Sequence, residues 1–304
     1  MKSTFNSYIL SNEMKAVRSI QIDLLKKLLL VCEKYDLKIW ASSGTLLGAV
    51  RERGFIPWDD DIDMEMQRQD YNRLVEVSQK EFTSPYFFQC AYTETNPYPI
   101  GHAQLRRDGT TAVVPGMEYW GTHQGVFIDI FVLDNAPVNE QDTKEYSDNI
   151  KNKKQNLLQY CSKRPLNPFK LVAYYHTKAN CKNKPFIEAF KEYEATLASI
   201  KDSSCFVKSC IKYSDWYIKN RQLKKEYYEN TLYIQFEDVQ IPVPACYHDI
   251  LTVLYGDYMK PVEAPTSHGT YLALSSTCDY KPIIRRLRRN MFWIRVLNRV
   301  KAMF

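Results

Sequence analysis

Between positions 13 and 36, apolar residues recur at three- and four-residue steps: Val17, Leu24, Leu28, Val31 and Tyr35, with lysines between them. This is the period of a helix with one buried stripe and predicts an amphipathic helix over 13–36. Further on, the pattern shortens. Residues 38–42, 61–66, 86–92, 102–107, 111–115 and 125–132 are short runs, several rich in β-branched and aromatic side chains, and read as strands. Short helices are predicted over 45–51, after a Ser43-Gly44 turn, and over 70–80. Pro57 forces Ile56 into an extended approach to the aspartates that follow. Residues 139–230 change character, being rich in Lys, Asn and Tyr, poor in Gly, and apolar at helical spacing. They read as a helical insertion, either a surface layer or an acceptor-binding lobe. Residues 232–270 return to the earlier style, with a helix at 247–255.

The pattern thus predicts an α+β fold, a mixed sheet flanked by helices. Its expected divisions are a core at 1–138, the insertion at 139–231, a return to the core at 232–280 and a tail at 281–304. In the tail Ile284, Leu287, Met291, Ile294, Leu297 and Phe304 recur at helical spacing, with Phe292 and Trp293 beside them.

An apolar content of 45% with 13% aromatics excludes a disordered chain. The eight cysteines form no C-x-x-C pair and read as reduced thiols, mostly buried. The first residues lack the apolar stretch of a secretion signal, and no run approaches the roughly 18–20 apolar residues of a membrane span. The expectation is a cytoplasmic protein, peripheral on the inner face of the cytoplasmic membrane. Charge sharpens this picture. The net +6 is concentrated in 281–304, which holds eight Lys or Arg and no acid, leaving 33 basic against 35 acidic residues elsewhere. A basic amphipathic helix suits an anionic membrane surface better than nucleic acid, where its apolar stripe would have no role.

The chemistry gathers at Trp58-Asp59-Asp60-Asp61-Ile62-Asp63-Met64. On a strand, Asp61 and Asp63 lie on one face, close enough to share a hard cation such as Mg²⁺ or Mn²⁺. Apolar neighbours (Phe55, Ile56, Trp58, Ile62, Met64) argue against a merely solvated acidic turn. Asp129, in Phe127-Ile128-Asp129-Ile130-Phe131, is costly in an apolar strand unless paired or metal-bound, and is the candidate third carboxylate. A buried pair with Arg106 is the bland alternative. Asp134 reads as a strand-end cap.

The stretch from Gly44 to Leu74, GTLLGAVRERGFIPWDDDIDMEMQRQDYNRL, resembles the signature of the LicD family, which includes the fukutin-related proteins. Three later stretches match in order: Ala103 to Arg107 with Thr110-Thr111, His123 to Phe131 with Leu133-Asp134, and Phe236 to Met259. The resemblance covers about 12–136 and 232–270. It implies a nucleotidyltransferase-like core in which Asp61, Asp63 and Asp129 are both the catalytic residues and the metal ligands. Substrate-binding residues are expected at Ser43, Gly44, Thr45, Arg51, Trp58, Arg106, Arg107 and His123, with Arg53 and His268 as further options. Gln104 stands where many relatives carry Lys, and Arg107 is a possible substitute for that charge. A choline head needs an aromatic cage, for which Trp58, Tyr119, Trp120, Tyr255 and Tyr258 are available.

The implied reaction is transfer of phosphocholine from CDP-choline to a hydroxyl of a lipid-linked or surface glycan, of lipopolysaccharide or teichoic-acid type, with CMP leaving. Transfer of phosphoethanolamine or phosphoribitol from its CDP donor is the near alternative. Nucleotidyl transfer to RNA or protein is disfavoured by the long LicD-like block. A non-enzymatic membrane adaptor is disfavoured by the intact carboxylates.

Overall fold

The computed structural model describes residues 10–165, 168–208, 215–262 and 271–301. The chain opens on α1 (Asn12–Lys34), started by Ser11, whose hydroxyl accepts the Met14 N–H at 3.1 Å. Its buried stripe contains Val17, Leu24, Leu28 and Val31, as the spacing predicts, together with the polar Gln21. There follow β1 (Trp40–Ala41), α2 (Ser43–Arg51), β2 (Asp63–Gln67), α3 (Arg68–Glu81), β3 (Tyr86–Gln89), β4 (Ala103–Arg107), β5 (Thr111–Val113) and β6 (Phe127–Asn135). The central sheet runs β1-β2-β6-β4-β3. Only β2 and β6 are parallel, with Asp63 opposite Asp129, so the sheet is mixed and the fold is α+β. Trp40, Ile62, Met64, Ile128 and Ile130, all buried, fill the core beneath it.

The insertion holds α4 (Glu140–Tyr160), α5 (Leu171–Asn183), α6 (Phe186–Leu197) and α7 (Asp215–Asn220), but also β7 (Cys205–Lys208) and β8 (Leu223–Lys224). It is therefore not helical throughout. β6 runs past β4, and β7 pairs with that overhang, placing Lys208 opposite Leu133. The strand satisfies backbone groups that the core would otherwise leave bare at a buried edge. α4, α6 and β7 share a second apolar cluster, including Tyr146, Ile150, Phe190, Tyr193 and Val207.

β9 (Thr231–Phe236) and β10 (Val239–Pro244) form a hairpin, followed by α8 (Tyr247–Tyr255). β11 (Ala273–Ser275) pairs with β5 and leads into α9 (Tyr280–Lys301). The first turns of α9 pack on the body: Ile284 is buried, and Arg288 Nε donates to the Glu118 carbonyl at 2.6 Å. The tail's apolar stripe from Met291 onward, with Phe292, Trp293 and Phe304, lies outside the described side chains, as do Cys210 and His268. Among the described residues seven cysteines are free thiols; Cys32 and Cys90 are buried, four are half-buried and Cys278 is exposed. No helix among them is long and apolar enough to cross a membrane.

Candidate functional site

α1 fixes the acidic loop through its polar side chains. Arg18 donates to the carbonyls of Ile56, Pro57 and Asp59 at 2.6–2.9 Å. Gln21 Nε2 donates to the Asp60 carbonyl at 2.8 Å. A loop whose carbonyls are satisfied by a packed helix cannot relax into solvent. Gly48 closes the other side. A Cβ there would run into the Gly54 carbonyl, so α2 approaches the loop only because position 48 has no side chain.

α2 begins at the sequence-predicted turn. Ser43 has φ +47, a left-handed backbone uncommon for a serine. Thr45 lies below, accepting the Asp63 N–H on Oγ1 at 2.8 Å, and Asp129 N–H donates to the Ile62 carbonyl at 2.8 Å. These bonds bring one carboxylate oxygen each of Asp61, Asp63 and Asp129 within 4.8 Å of one another. Asp59, Asp60 and Asp61 form a second, overlapping group by the same measure. Asp61 and Asp129 are buried, and one oxygen of Asp63 is buried without a hydrogen-bond partner. Asp129 Oδ1 is held by Gln104 Nε2 at 2.8 Å and by His102 Nε2 at 3.1 Å.

Burial, then the charge of Asp61, pushes the Asp59 carboxyl up to about 8. Burial and Asp61 also drive Asp63 well above the carboxylate range, an effect that Lys208 opposes and Asp129 reinforces. Crowded, buried carboxyls retain protons unless a cation compensates them. An all-oxygen donor set with an orphaned buried oxygen fits a hard divalent ion, so the cluster can hold a metal.

Asp61 and Asp63 open onto a cleft of about 600 Å³ lined also by Ser43, Gly44, Arg51, Trp58, Asp59, Tyr255 and Tyr258, and Asp129 lies buried beside them. The structure thus brings Ser43, Gly44, Arg51 and Trp58 to the carboxylates, with Thr45 supporting them. Arg51 is anchored by Glu52 and by the Tyr258 carbonyl.

Three other sequence candidates are not brought there. Arg106 is fully buried, donating to Gln89, Gln104 and the Gly125 carbonyl and lying 4.5 Å from the Phe127 ring centre. It supports Gln104, and through it Asp129, rather than facing the cleft; its bland alternative, a direct pair with Asp129, is replaced by this bridge. Arg107, one residue on, points to the other face of β4 and pairs with Asp23 of α1 at 2.5 Å. His123 stacks on Phe87 and pairs with Asp108 at 3.0 Å. Tyr119 and Trp120 are likewise absent from the cleft lining. Asp134 is no cap: it is buried and takes two bonds from Arg68, at 2.8 and 2.6 Å.

Lys208 was not legible in the sequence. Its ammonium donates to Ser42 Oγ at 2.9 Å and to Ser43 Oγ, lies 3.9 Å from Glu65, and sits over the Phe131 ring. Glu65, on the Asp63 face of β2, also accepts from Tyr228 at 2.6 Å. His102 too escaped notice; its only signal was its position just before β4.

Residues 36–131 match the model of the LicD/FKTN/FKRP nucleotidyltransferase domain. The lipopolysaccharide cholinephosphotransferase LicD of Haemophilus influenzae is 30% identical over 243 residues, 76% of this chain and 85% of that protein. An uncharacterised Rickettsia prowazekii protein is 43% identical over 60 residues, 20% of each chain. A second, from Rickettsia typhi, is 44% identical over 81 residues, 27% of this chain and 24% of that one. With this identity over most of both lengths and the family domain matched, the chain belongs to the LicD family of transferases.

Proposed function

We propose that the chain transfers phosphocholine from CDP-choline to a hydroxyl of a cell-surface glycan, releasing CMP, with Mg²⁺ or Mn²⁺ held by Asp61, Asp63 and Asp129. The observation that carries this reading is the trio of converging carboxylates beside an aromatic cleft, in a chain similar to a lipopolysaccharide cholinephosphotransferase over most of its length. A divalent ion, when bound, draws charge from the phosphate oxygens and from the departing nucleotide.

The chain's own residues supply the rest. Backbone N–H groups at the start of α2 and the Arg51 guanidinium hold the diphosphate. Trp58, Tyr255 and Tyr258 surround the quaternary ammonium, which cation–π attraction favours. An acceptor hydroxyl attacks the choline-bearing phosphorus in line. The new oxygen–phosphorus bond forms as the bond to the bridging oxygen breaks, and CMP leaves with that oxygen. Asp59 stands in the same cleft, outside the three metal-holding carboxylates, to take the hydroxyl proton once a bound cation has displaced its own. A lipid-linked acceptor is met at an anionic membrane surface through residues 281–304.

The test is a donor panel with Mg²⁺ and a cell-envelope glycan, reading nucleotide release. CDP-choline should be preferred over CDP-ethanolamine, CDP-ribitol and CDP-glycerol. Preference for a nucleoside triphosphate, with pyrophosphate released, would overturn phospho-alcohol transfer.

A further inference from the structure

The insertion contains a helix that the core does not use. Among its described residues α5 buries none, although it carries Leu171, Val172, Tyr174 and Tyr175. Phe169, Val172 and Tyr175, spaced three apart, are 92%, 79% and 53% exposed. That spacing puts them along one side of the segment. α5 is held by a half-buried face, with Leu171, Tyr174 and Cys181, and by polar clips. Lys178 Nζ donates to the carbonyls of Gln159 and Tyr160 at 3.1 and 2.8 Å, and Tyr160 OH donates to the Lys184 carbonyl at 2.9 Å. A helix of 13 residues with so thin an apolar anchor is marginal.

The sequence around it is one-sided in charge, although Lys151, Lys153 and Lys184 pair with Asp148 and Glu192 from its flanks. Residues 149–187 hold nine Lys or Arg and no Asp or Glu, and residues 280–304 hold eight and none. The two segments therefore carry 17 of the chain's 41 basic residues and none of its 35 acids. They also meet. Lys163, just before α5, lies 3.5 Å from the centre of the Tyr119 ring, and Arg288 of α9 lies 5.7 Å from the same ring. Arg285, Arg286 and Arg289 of α9 are exposed.

We propose that α5 is a second lipid-docking element. Its Val172 and Tyr175, with Phe169 of the turn just before it, enter the headgroup boundary of an anionic bilayer while the surrounding lysines and the α9 arginines engage the lipid phosphates. Exposed apolar and aromatic side chains beside a surface rich in lysine and arginine are the chemistry of an interfacial helix. Nucleic acid would match the charge but leaves Val172 without a role. The proposal shares with the reading above only the choice of a lipid surface, and assigns to α5 a contact that the tail alone does not supply.

The test is sedimentation of the full chain with vesicles of phosphatidylcholine alone or mixed with phosphatidylglycerol. Wild type should bind only the anionic vesicles. Phe169→Ser/Val172→Ser/Tyr175→Ser should bind them at least about tenfold more weakly, with an unchanged Tm. Lys170→Gln and Lys182→Gln should each cost up to about fivefold. Should the serine variant bind as wild type while Arg285→Gln/Arg286→Gln/Arg289→Gln does not, α5 is excluded and tail docking stands. Failure of wild type to bind overturns both. Equal binding to neutral vesicles, or α5-dependent capture of single-stranded RNA without vesicle binding, also overturns the proposal.

Discussion

The loop from Ile56 to Asp63 and the helix α5 are opposites in how they are held. The loop is irregular, yet nearly every group on it is engaged: Arg18 and Gln21 bind its carbonyls, Thr45 takes the Asp63 N–H, and Gly48 admits α2 beside it. α5 is regular, yet it buries no residue fully and is held by a half-buried face and a few polar clips. Regularity and fixity are thus separate properties. Carboxylates that must converge within a few ångströms require over-determination. A surface that meets lipid does not. The contrast predicts that substitutions at the loop abolish chemistry, whereas those at α5 and the outer face of β4 leave it intact.

The largest expected effect comes from the carboxylates. Asp61→Asn, Asp63→Asn and Asp129→Asn should each lower CMP release by about three orders of magnitude or more, since each removes a charge from one cluster. Asp63→Asn should not destabilise the metal-free protein, because burial already favours its neutral form. Near-native turnover by any of the three in Mg²⁺ would show that the cluster is not the catalytic centre.

Next is Lys208, which ties the insertion to the start of α2. Lys208→Met alone strands Glu65, so the informative variant is Lys208→Met/Glu65→Gln, where both charges go together. If the ammonium holds Ser43 in its left-handed conformation, turnover should fall about tenfold relative to Glu65→Gln, with Tm nearly restored. Full recovery of turnover in the double variant would reduce Lys208 to a counter-charge.

The carboxylates and the neighbouring strands were readable because both depend on local pattern. A D-x-D at the mouth of a strand keeps its carboxylates together, although Asp61 precedes β2 rather than lying on it as the spacing predicts, and an aspartate flanked by Ile128 and Ile130 must be compensated. Lys208 was unreadable because its importance arises from register. Cys205-Phe206-Val207-Lys208 looks like any short edge strand, and only pairing with the overhang of β6 carries its ammonium to Ser43. Arg106 and Arg107 failed for a related reason. Alternation says that neighbours on a strand part company, but not which neighbour faces the cleft. Here neither does, since Gln89, Gln104 and Gly125 enclose Arg106.

A smaller effect concerns pH. Asp59 titrates at about 8 and Asp63 is raised as well, against about 3.9 for an unfolded aspartate. The folded state therefore binds protons more tightly than the unfolded state. The resulting stability is fully present below about pH 4 and is lost as pH rises towards 8. The Tm of cation-free protein should fall from about pH 5 to 8, and Mn²⁺ should raise it more at pH 8 than at pH 6, since the ion replaces departing protons. A cation-free Tm that stays flat over that range would mean that the carboxyls are already compensated.

The smallest expected effect is at Arg107, and it sharpens the comparison most. Its guanidinium pairs with Asp23 across a half-exposed surface and lies 5.3 Å from the Tyr86 ring centre, on the face of β4 turned towards α1. Surface pairs of this kind contribute about 0–1 kcal/mol. Arg107→Ala should therefore lower stability by no more than about that amount and leave both kcat and KM for CDP-choline unchanged. Arg51→Ala, which removes a cation from the cleft, should raise that KM about tenfold or more. Thermal unfolding and steady-state kinetics on the two variants distinguish the cases. A raised donor KM for Arg107→Ala would mean that β4 presents its outer face to the nucleotide, and the contrast between a fixed chemical end and a tolerant periphery would fail at its nearest boundary.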